Sequence, residues 1–358
     1  MRDFASGWAD LDGFHQQGLK WPRVRELFSA MGERGWLSLA WPKEDGGLGL
    51  PPSYEYILWD EIGYARLARN PLSSGIVAKT IVRHGTTEQK QRWLPGIKKG
   101  EIHFSLGYSE PEAGSDLTGL RTRAEKNGTG YVINGQKCWQ SYAQDMDCLW
   151  LLARTGTQES RGRGLSLFIV PLDTAGLTVN PLPTLDGDQL NEIFLEDVEV
   201  TEDARVGPED GAWKIMNQAL ADERHIQFPP GRVRRDLEDV ATWLKDAGLT
   251  SDPIVRRRLG ELAAEVEVVE VEALRVLDAM MNDGPAAVEA AANKIIHTLC
   301  CQHIAEAAIE LGGAEALVEG AGIELLWRVA LWETIGGGTT EIMRSVVARH
   351  GLKLTADR

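Results

Sequence analysis

The chain has 358 residues, 43% of them hydrophobic and 25% charged, and a formal net charge of −15. That length allows a large core and about two or three domains. The acid excess argues against nucleic acid or an anionic membrane surface as partner, and no apolar run is long enough to span a bilayer. The opening Met1-Arg-Asp-Phe-Ala has no apolar stretch, so no secretory leader is expected and the cytoplasm is the expected compartment. Four cysteines, Cys138, Cys148, Cys300 and Cys301, lack metal-ligand spacing, and two are adjacent, which is poor disulfide geometry. They read as reduced, small buried hydrophobes.

Residues 1–100 read as helices. Apolar side chains recur three and four apart over 24–32, 54–65 and 72–84, with Pro and Gly between. Residues 101–205 change to a two-residue period. Segments 102–106, 148–153, 165–171 and 193–200 are strand-like and bounded by turn residues. Asn134-Gly135 is the dipeptide of a type I′ hairpin and predicts a reversal there, with Trp139 on the return strand. Residues 206–358 regain the helical period, with long helices expected over 259–277 and 287–311 and a last one over 340–350. The α–β–α order gives an α+β class, with helices packed around a small β domain.

Between the strand-like run at 102–106 and the next apolar run at Leu120 lies Leu106-Gly-Tyr-Ser-Glu-Pro-Glu-Ala-Gly-Ser-Asp-Leu-Thr-Gly. Its small hydroxylated residues and backbone N–H groups suit one anionic or carbonyl-rich ligand. Downstream comes Tyr131-Val-Ile-Asn-Gly-Gln-Lys-Cys-Trp-Gln-Ser, in which an aromatic follows a polar loop, as a planar cofactor would need. Together, in this order, the two stretches resemble the acyl-CoA dehydrogenase family. Thr334-Ile-Gly-Gly-Gly-Thr-Thr-Glu-Ile-Met-Arg resembles that family's C-terminal flavin-contacting turn, and Gly46-Gly-Leu-Gly-Leu an early segment. The resemblance runs from about residue 27 to 352.

The resemblance implies an N-terminal helical domain, a central β domain and a C-terminal helical bundle, binding FAD. It implies α,β-desaturation of an acyl-CoA: a carboxylate takes the α-proton, and the β-hydride goes to flavin. The base needs a raised pKa, usually from apolar burial. Most members carry it in the C-terminal turn, where this chain has Gly337. A minority place a Glu directly before an Arg on an earlier helix, and here Ala219-Leu-Ala-Asp-Glu-Arg-His puts Glu223 and Arg224 on those positions. Glu223 is therefore the expected base and Arg224 a substrate contact. Asp222 would point roughly 100° away around the same helix. Gly337 keeps its backbone N–H as an oxyanion donor to the thioester carbonyl. By the same resemblance Leu106, Tyr108, Ser109, Trp139, Ser141, Gly313, Thr339 and Glu341 contact the flavin, and Ser115 lies near the pantetheine of CoA.

Three departures stand out. Pro229-Pro230 interrupt the helix soon after Glu223. The family's Arg-x-x-Phe-Gly segment, whose Arg reaches the neighbouring subunit's FAD, gives way to Asp252-Pro-Ile-Val-Arg-Arg-Arg, where Arg256 or Arg257 could substitute. A Gln that touches the partner's adenine half falls near Ile309. The ring half of the site is thus better kept than the half lent to a partner, which fits either a homotetramer with diverged contacts or a heterotetramer with a sister chain. Heteromeric relatives act in actinobacterial steroid breakdown, so a bulky CoA thioester is a lead. Electrons would pass to an electron-transfer flavoprotein. A flavin monooxygenase or oxidase on the same fold, and a non-catalytic subunit, are the rival readings; a cofactor-free helical binding protein would waste the ordered motifs.

Overall fold

The computed structural model describes residues 1–12, 20–69, 71–282, 286–320 and 322–354, and nothing of the side chains of residues 221, 222 and 224. Its helices are α1 (Arg2–Ser6), α2 (Trp21–Glu33), α3 (Pro52–Tyr64), α4 (Ala78–His84), α5 (Thr87–Lys98), α6 (Ala212–Asp222), α7 (Arg224–Gln227), α8 (Pro230–Asp246), α9 (Pro253–Met281), α10 (Ala287–Gly312), α11 (Ile323–Glu333) and α12 (Thr340–Val346). The strands are β1 (Phe104–Gly107), β2 (Arg123–Asn127), β3 (Gly130–Ser141), β4 (Cys148–Arg154), β5 (Leu165–Pro171), β6 (Leu177–Pro183), β7 (Gln189–Thr201) and β8 (Arg205–Val206). The chain forms two compact units that are discontinuous in sequence. One comprises residues 16–50 and 70–223; the other comprises 1–15, 51–69 and 224–358.

The first unit holds the sheet, in the order β6-β7-β3-β2-β4-β5-β8, with β1 pairing parallel to β4. β4 and β5 read as continuous apolar runs because both their faces are covered. Trp150, Leu152, Leu165, Leu167 and Ile169 pack with Ile81 of α4, Trp93 and Ile97 of α5, and Ile215 and Met216 of α6. Leu149, Leu151, Phe168 and Val170 form a second cluster with Tyr131, Ile133, Ile193 and Leu195. Helix α5 starts at a full capping box: Thr86 Oγ1 accepts from the Gln89 N–H at 3.2 Å, and Gln89 Oε1 accepts from the Thr86 N–H at 3.0 Å.

The reversal expected at Asn134-Gly135 does not occur. Both residues lie inside β3, and the chain turns instead between Asn127 and Gly130. Gly135 serves close packing. A Cβ there would sit 2.5 Å from Thr122 Oγ1, and the register against β7 slips between Ile133 and Gly135. Asn134 bonds side chain to side chain and to backbone with Asp197 of β7. The segment expected as one helix over 72–84 opens with a π-helical turn at Ser73–Val77, and the last helix gives way to a π-helical turn at Val347–Gly351.

In the second unit α8, α9, α10 and α11 share a core of Val240, Leu262, Val266, Val269, Cys300, Cys301, Ile304, Ala308 and Ala330. Helix α9 starts earlier than its apolar period, because the Asp252 carboxylate caps the Ile254 N–H at 2.8 Å and Pro253 occupies the first turn. Among the described residues no helix is long and apolar enough to cross a membrane.

Candidate active site

In the sheet unit several residues picked out in sequence gather where the end of β1 meets β3, the edge of the candidate site. The end of β1 and the following loop are held by β3 through Lys137, Cys138 and Gln140. Lys137 Nζ donates to the Tyr108 carbonyl at 3.1 Å and to Glu110 Oε1 at 2.8 Å. The Cys138 N–H and Gln140 Nε2 both donate to the Ser109 carbonyl, at 3.0 and 3.1 Å. Between them Trp139 is the extra residue of a β-bulge: Cys138 pairs with Glu192, and Gln140 with the adjacent Asn191. It adopts φ +70°, and its ring is 48% exposed, with Gly114 of the loop beside it. Bulges re-aim side chains in this way, and a non-glycine residue at such φ costs of order 1–3 kcal/mol that its surroundings must fix.

The rest of the loop is pinned below its tip. Glu110 accepts from the Arg121 and Thr122 N–H groups at 2.6 and 3.0 Å. Burial would raise its carboxyl pKa, but the Lys137 ammonium and these donors outweigh burial and hold it below the usual carboxylate range. Arg154 donates to the carbonyls of Thr118, Leu120, Thr157 and Arg161. Ser115 remains exposed at the tip, while Ser109 is half-buried. Leu106 packs on the core opposite Trp150, and the Ser141 carbonyl accepts from Ser105 Oγ at 2.8 Å. Lys137, Glu110 and Arg154 were not picked out in sequence. Lys137 and Glu110 lie 27 residues apart, and no local pattern joins them.

Glu223 stands at a one-residue break between α6 and α7 rather than inside a helix, and is only 2% exposed. Its charge reaches Tyr108. The Tyr108 hydroxyl accepts from Trp150 Nε1 at 3.0 Å, and its pKa is pushed up by burial with a further contribution from Glu223. Helix α7 ends at Gln227 and α8 restarts at Pro230, so Pro229-Pro230 do interrupt the helix. Asp222 and Arg224 keep their places in the backbone, but their side chains lie outside the described residues.

In the helical unit the turn at 334–339 follows α11. Gly337 and Gly338 have φ +68° and +98°, and among the described residues their N–H groups donate to no protein acceptor. Gly337 is exposed, and a Cβ on it would lie 3.2 Å from Gln227 Nε2 and 3.7 Å from Phe228. The turn is anchored at its start: buried Lys294 of α10 donates to the Thr334 carbonyl at 3.0 Å, and Gln302 to the Ala330 carbonyl at 3.1 Å. Just before it, buried Glu333 accepts from Arg69 at 2.7 Å and from Arg232. Burial opposes ionisation of Glu333, but the two guanidinium charges prevail and hold it at about 2. His297 packs on Phe228 and faces the Pro229 carbonyl at 3.3 Å; burial, reinforced by Arg232, pushes it down to about 3. Thr339 caps α12, its Oγ1 accepting from the Ile342 N–H at 3.2 Å, and Glu341 is exposed in the first turn.

Family models match nearly the whole chain: the acyl-CoA dehydrogenase N-terminal domain over residues 4–101, the middle domain over 105–198 and the C-terminal domain over 210–352. The chain belongs to the acyl-CoA dehydrogenase family. It is 36% identical over 351 residues to acyl-CoA dehydrogenase FadE26 of Mycobacterium tuberculosis, covering 92% of this chain and 88% of that one. It is 30% identical over 331 residues to acyl-CoA dehydrogenase IpdE1 of the same organism, covering 89% and 85%. Among solved structures, the Tcur3481-Tcur3483 steroid ACAD superposes with a TM-score of 0.93 at 33% identity, covering 99% of this chain and 97% of that one. The ChsE4-ChsE5 complex from Mycobacterium tuberculosis gives 0.89 at 34% identity, covering 99% and 97%. This acyl-CoA dehydrogenase therefore carries the family's general activity, flavin-dependent dehydrogenation of an acyl-CoA.

The residues present fit a flavin. In the sheet unit a strained, half-exposed Trp139 set against a small-residue loop offers a flat apolar surface. In this acyl-CoA dehydrogenase the sheet unit brings together Leu106, Tyr108, Ser109, Trp139 and Ser141. Gly313 is not brought to the turn. It caps the far end of α10, 11 residues beyond Gln302, which is about 16 Å along the axis. Arg256 and Arg257 are exposed in the first turns of α9, and Ile309 packs on the helical core.

Proposed function

We propose that this chain is the base-carrying subunit of an FAD-dependent dehydrogenase for a bulky, ring-bearing acyl-CoA of the steroid side-chain type. The observation that carries the reading is Glu223, a carboxylate almost wholly removed from water at the break after α6. Burial of that kind suits a base that must take a weakly acidic proton from carbon. FAD, when bound, supplies the acceptor for the β-hydride. The chain's own groups do the rest. Glu223 takes the α-proton. The Gly337 N–H donates to the thioester carbonyl as negative charge grows there, a contact typically worth several kcal/mol. Trp139, Leu106, Tyr108, Ser109 and Ser141 line the ring, and Thr339 and Glu341 contact the cofactor from the turn. Ser115 and Arg224 hold the CoA portion. Gly313 belongs to the surface that a neighbouring subunit's cofactor would meet.

Two features support a heterotetramer with a sister chain: the absence of the family's Gln at Ile309, and likeness to a ChsE4-ChsE5 complex and a Tcur3481-Tcur3483 steroid ACAD. The interruption at Pro229-Pro230 supports an unusual acyl group, because it remodels the chain just after the base. Reoxidation by an electron-transfer flavoprotein completes the cycle.

The test is an anaerobic titration of the purified chain, alone and with a neighbouring homologue, using short, branched, long and steroid acyl-CoAs. Bleaching of the flavin band with the steroid class, and native masses of a mixed tetramer, are the expected results. A stoichiometric FAD-loaded homotetramer that bleaches only with straight-chain acyl-CoAs would overturn both the partner and the substrate.

A further inference from the structure

The proposed chemistry leaves a buried ion pair of the sheet unit unused. Lys137 Nζ is 0% exposed, and Glu110 is nearly so. Replacing such a pair with apolar groups is often neutral or stabilising, so stability alone is a weak reason to keep it. What the pair does possess is a set of bonds that ties three stretches of backbone together. Lys137 donates to Glu110 and to the Tyr108 carbonyl, and Glu110 also receives the Arg121 and Thr122 N–H groups. Buried polar networks with well-paired members specify one geometry.

The geometry specified is that of the bulge. Lys137 bonds Tyr108 and Glu110, and Cys138 and Gln140, the two residues that bracket Trp139, both bond the carbonyl of Ser109 between them. Trp139 sits at φ +70°, a conformation that needs over-determined surroundings. Without the pair, β3 could recover regular pairing with β7, and the extra residue would slip. A one-residue slip would send the indole to the opposite face.

We propose that Lys137 and Glu110 are a positioning pair, which locks the strand-end loop to the Trp139 bulge and so fixes the surface that receives the isoalloxazine ring. The inference rests on the flavin reading of this edge. Neither residue touches the ring. They act by holding the backbone of residues 108–110 and 137–140.

The test compares the wild-type chain with a charge-free double variant, Lys137→Met with Glu110→Gln. Three quantities are read: the thermal midpoint, hydrogen exchange of the Cys138 amide in flavin-free protein, and FAD affinity from fluorescence quenching on titration. The expected result is a folded double variant whose Cys138 amide exchanges about tenfold faster and whose FAD binding weakens about tenfold. Glu110→Asp, which keeps the charge pair, should restore most of both. A folded double variant with Cys138 protection and FAD affinity both within about twofold of wild type overturns the proposal. Faster exchange with unchanged affinity also overturns it, because a merely structural pair would behave so. Should the double variant not fold, Glu110→Gln alone is read by the same criteria. If the wild-type chain takes up no FAD either alone or with the neighbouring homologue, the flavin reading fails, and the exchange measurement alone decides whether the pair locks the bulge.

Discussion

The edge at residues 105–141 and the turn at 334–339 treat their polar backbone in opposite ways. On the edge, the carbonyls of Tyr108, Ser109 and Ser141 are each claimed by a donor from the protein. In the turn, the Gly337 and Gly338 N–H groups are claimed by none among the described residues, while the anchoring sits on either side, at Thr334, Glu333 and Thr339. On the proposed function the contrast has a reason: the surface proposed for the plane of the flavin ring uses its polar groups internally, while the turn proposed to donate to the substrate keeps them in reserve and is fixed at its ends.

Four changes break or sharpen this contrast. The largest effect is expected from Glu223→Gln, which serves neither the plane nor the turn. Turnover should fall by about 10²–10⁴-fold, with the flavin absorption spectrum unchanged; retained turnover in a stopped-flow assay would remove Glu223 from the chemistry. Next is Glu333→Gln, which unpins the start of the turn. It leaves Arg232 and Arg69 short of a counter-charge, and the loss should be about 3 kcal/mol in chemical denaturation. The pH dependence gives this one a sign. Glu333 is held at about 2 when folded against 4.5 as its ordinary value, and His297 at about 3 against 6.5. Both bind more protons unfolded, so both contributions are complete above their ordinary values and drain away as pH falls towards the folded ones. Acid titration followed by circular dichroism should show stability declining below pH 6.5, steeply below 4.5. Glu333→Gln should flatten only the lower part, where Arg69, Arg232 and Asp236 are the neighbouring charges.

Gly135→Ala strikes the plane through sterics. Its new methyl would meet Thr122 Oγ1 at 2.5 Å and the Thr122 Cα at 2.7 Å. A loss of about 1–3 kcal/mol is expected, with weaker FAD binding because Thr122 also donates to Glu110. Unchanged stability and affinity would show that β3 yields easily. The smallest effect belongs to Thr86→Ala, which lies in neither region. Loss of its capping box should remove about 0.5–2 kcal/mol and leave flavin affinity alone, so any change in affinity would mean that the sheet unit transmits strain more widely than its contacts suggest.

The sequence spoke most clearly where one residue's surroundings are local. The change from a 3.6- to a 2-residue period and back marks α2–α5, the strands from β1 to β8 and the helices from α6 onward, and β5 occupies the expected 165–171. It misled at Asn134-Gly135, where turn chemistry was outweighed by the packing of Thr122 against a residue without Cβ. Glu223 and the strand-end residues could be named because they lie in contiguous motifs. Lys137 with Glu110, and Arg154 with four loop carbonyls, could not, because pairing across a sheet has no signature in local spacing. The strain at Trp139 was equally hidden, since a bulge depends on the partner strand as much as on its own residues.

Gly337 also limits what the turn can become. Any side chain installed there must accept left-handed backbone, at roughly 1–2 kcal/mol for an L-residue, and must displace the Gln227 amide, 3.2 Å from where its Cβ would be. Residue 227 therefore decides how readily the turn accepts a side chain, and any attempt to place an acid in this turn would have to vary positions 227 and 337 together.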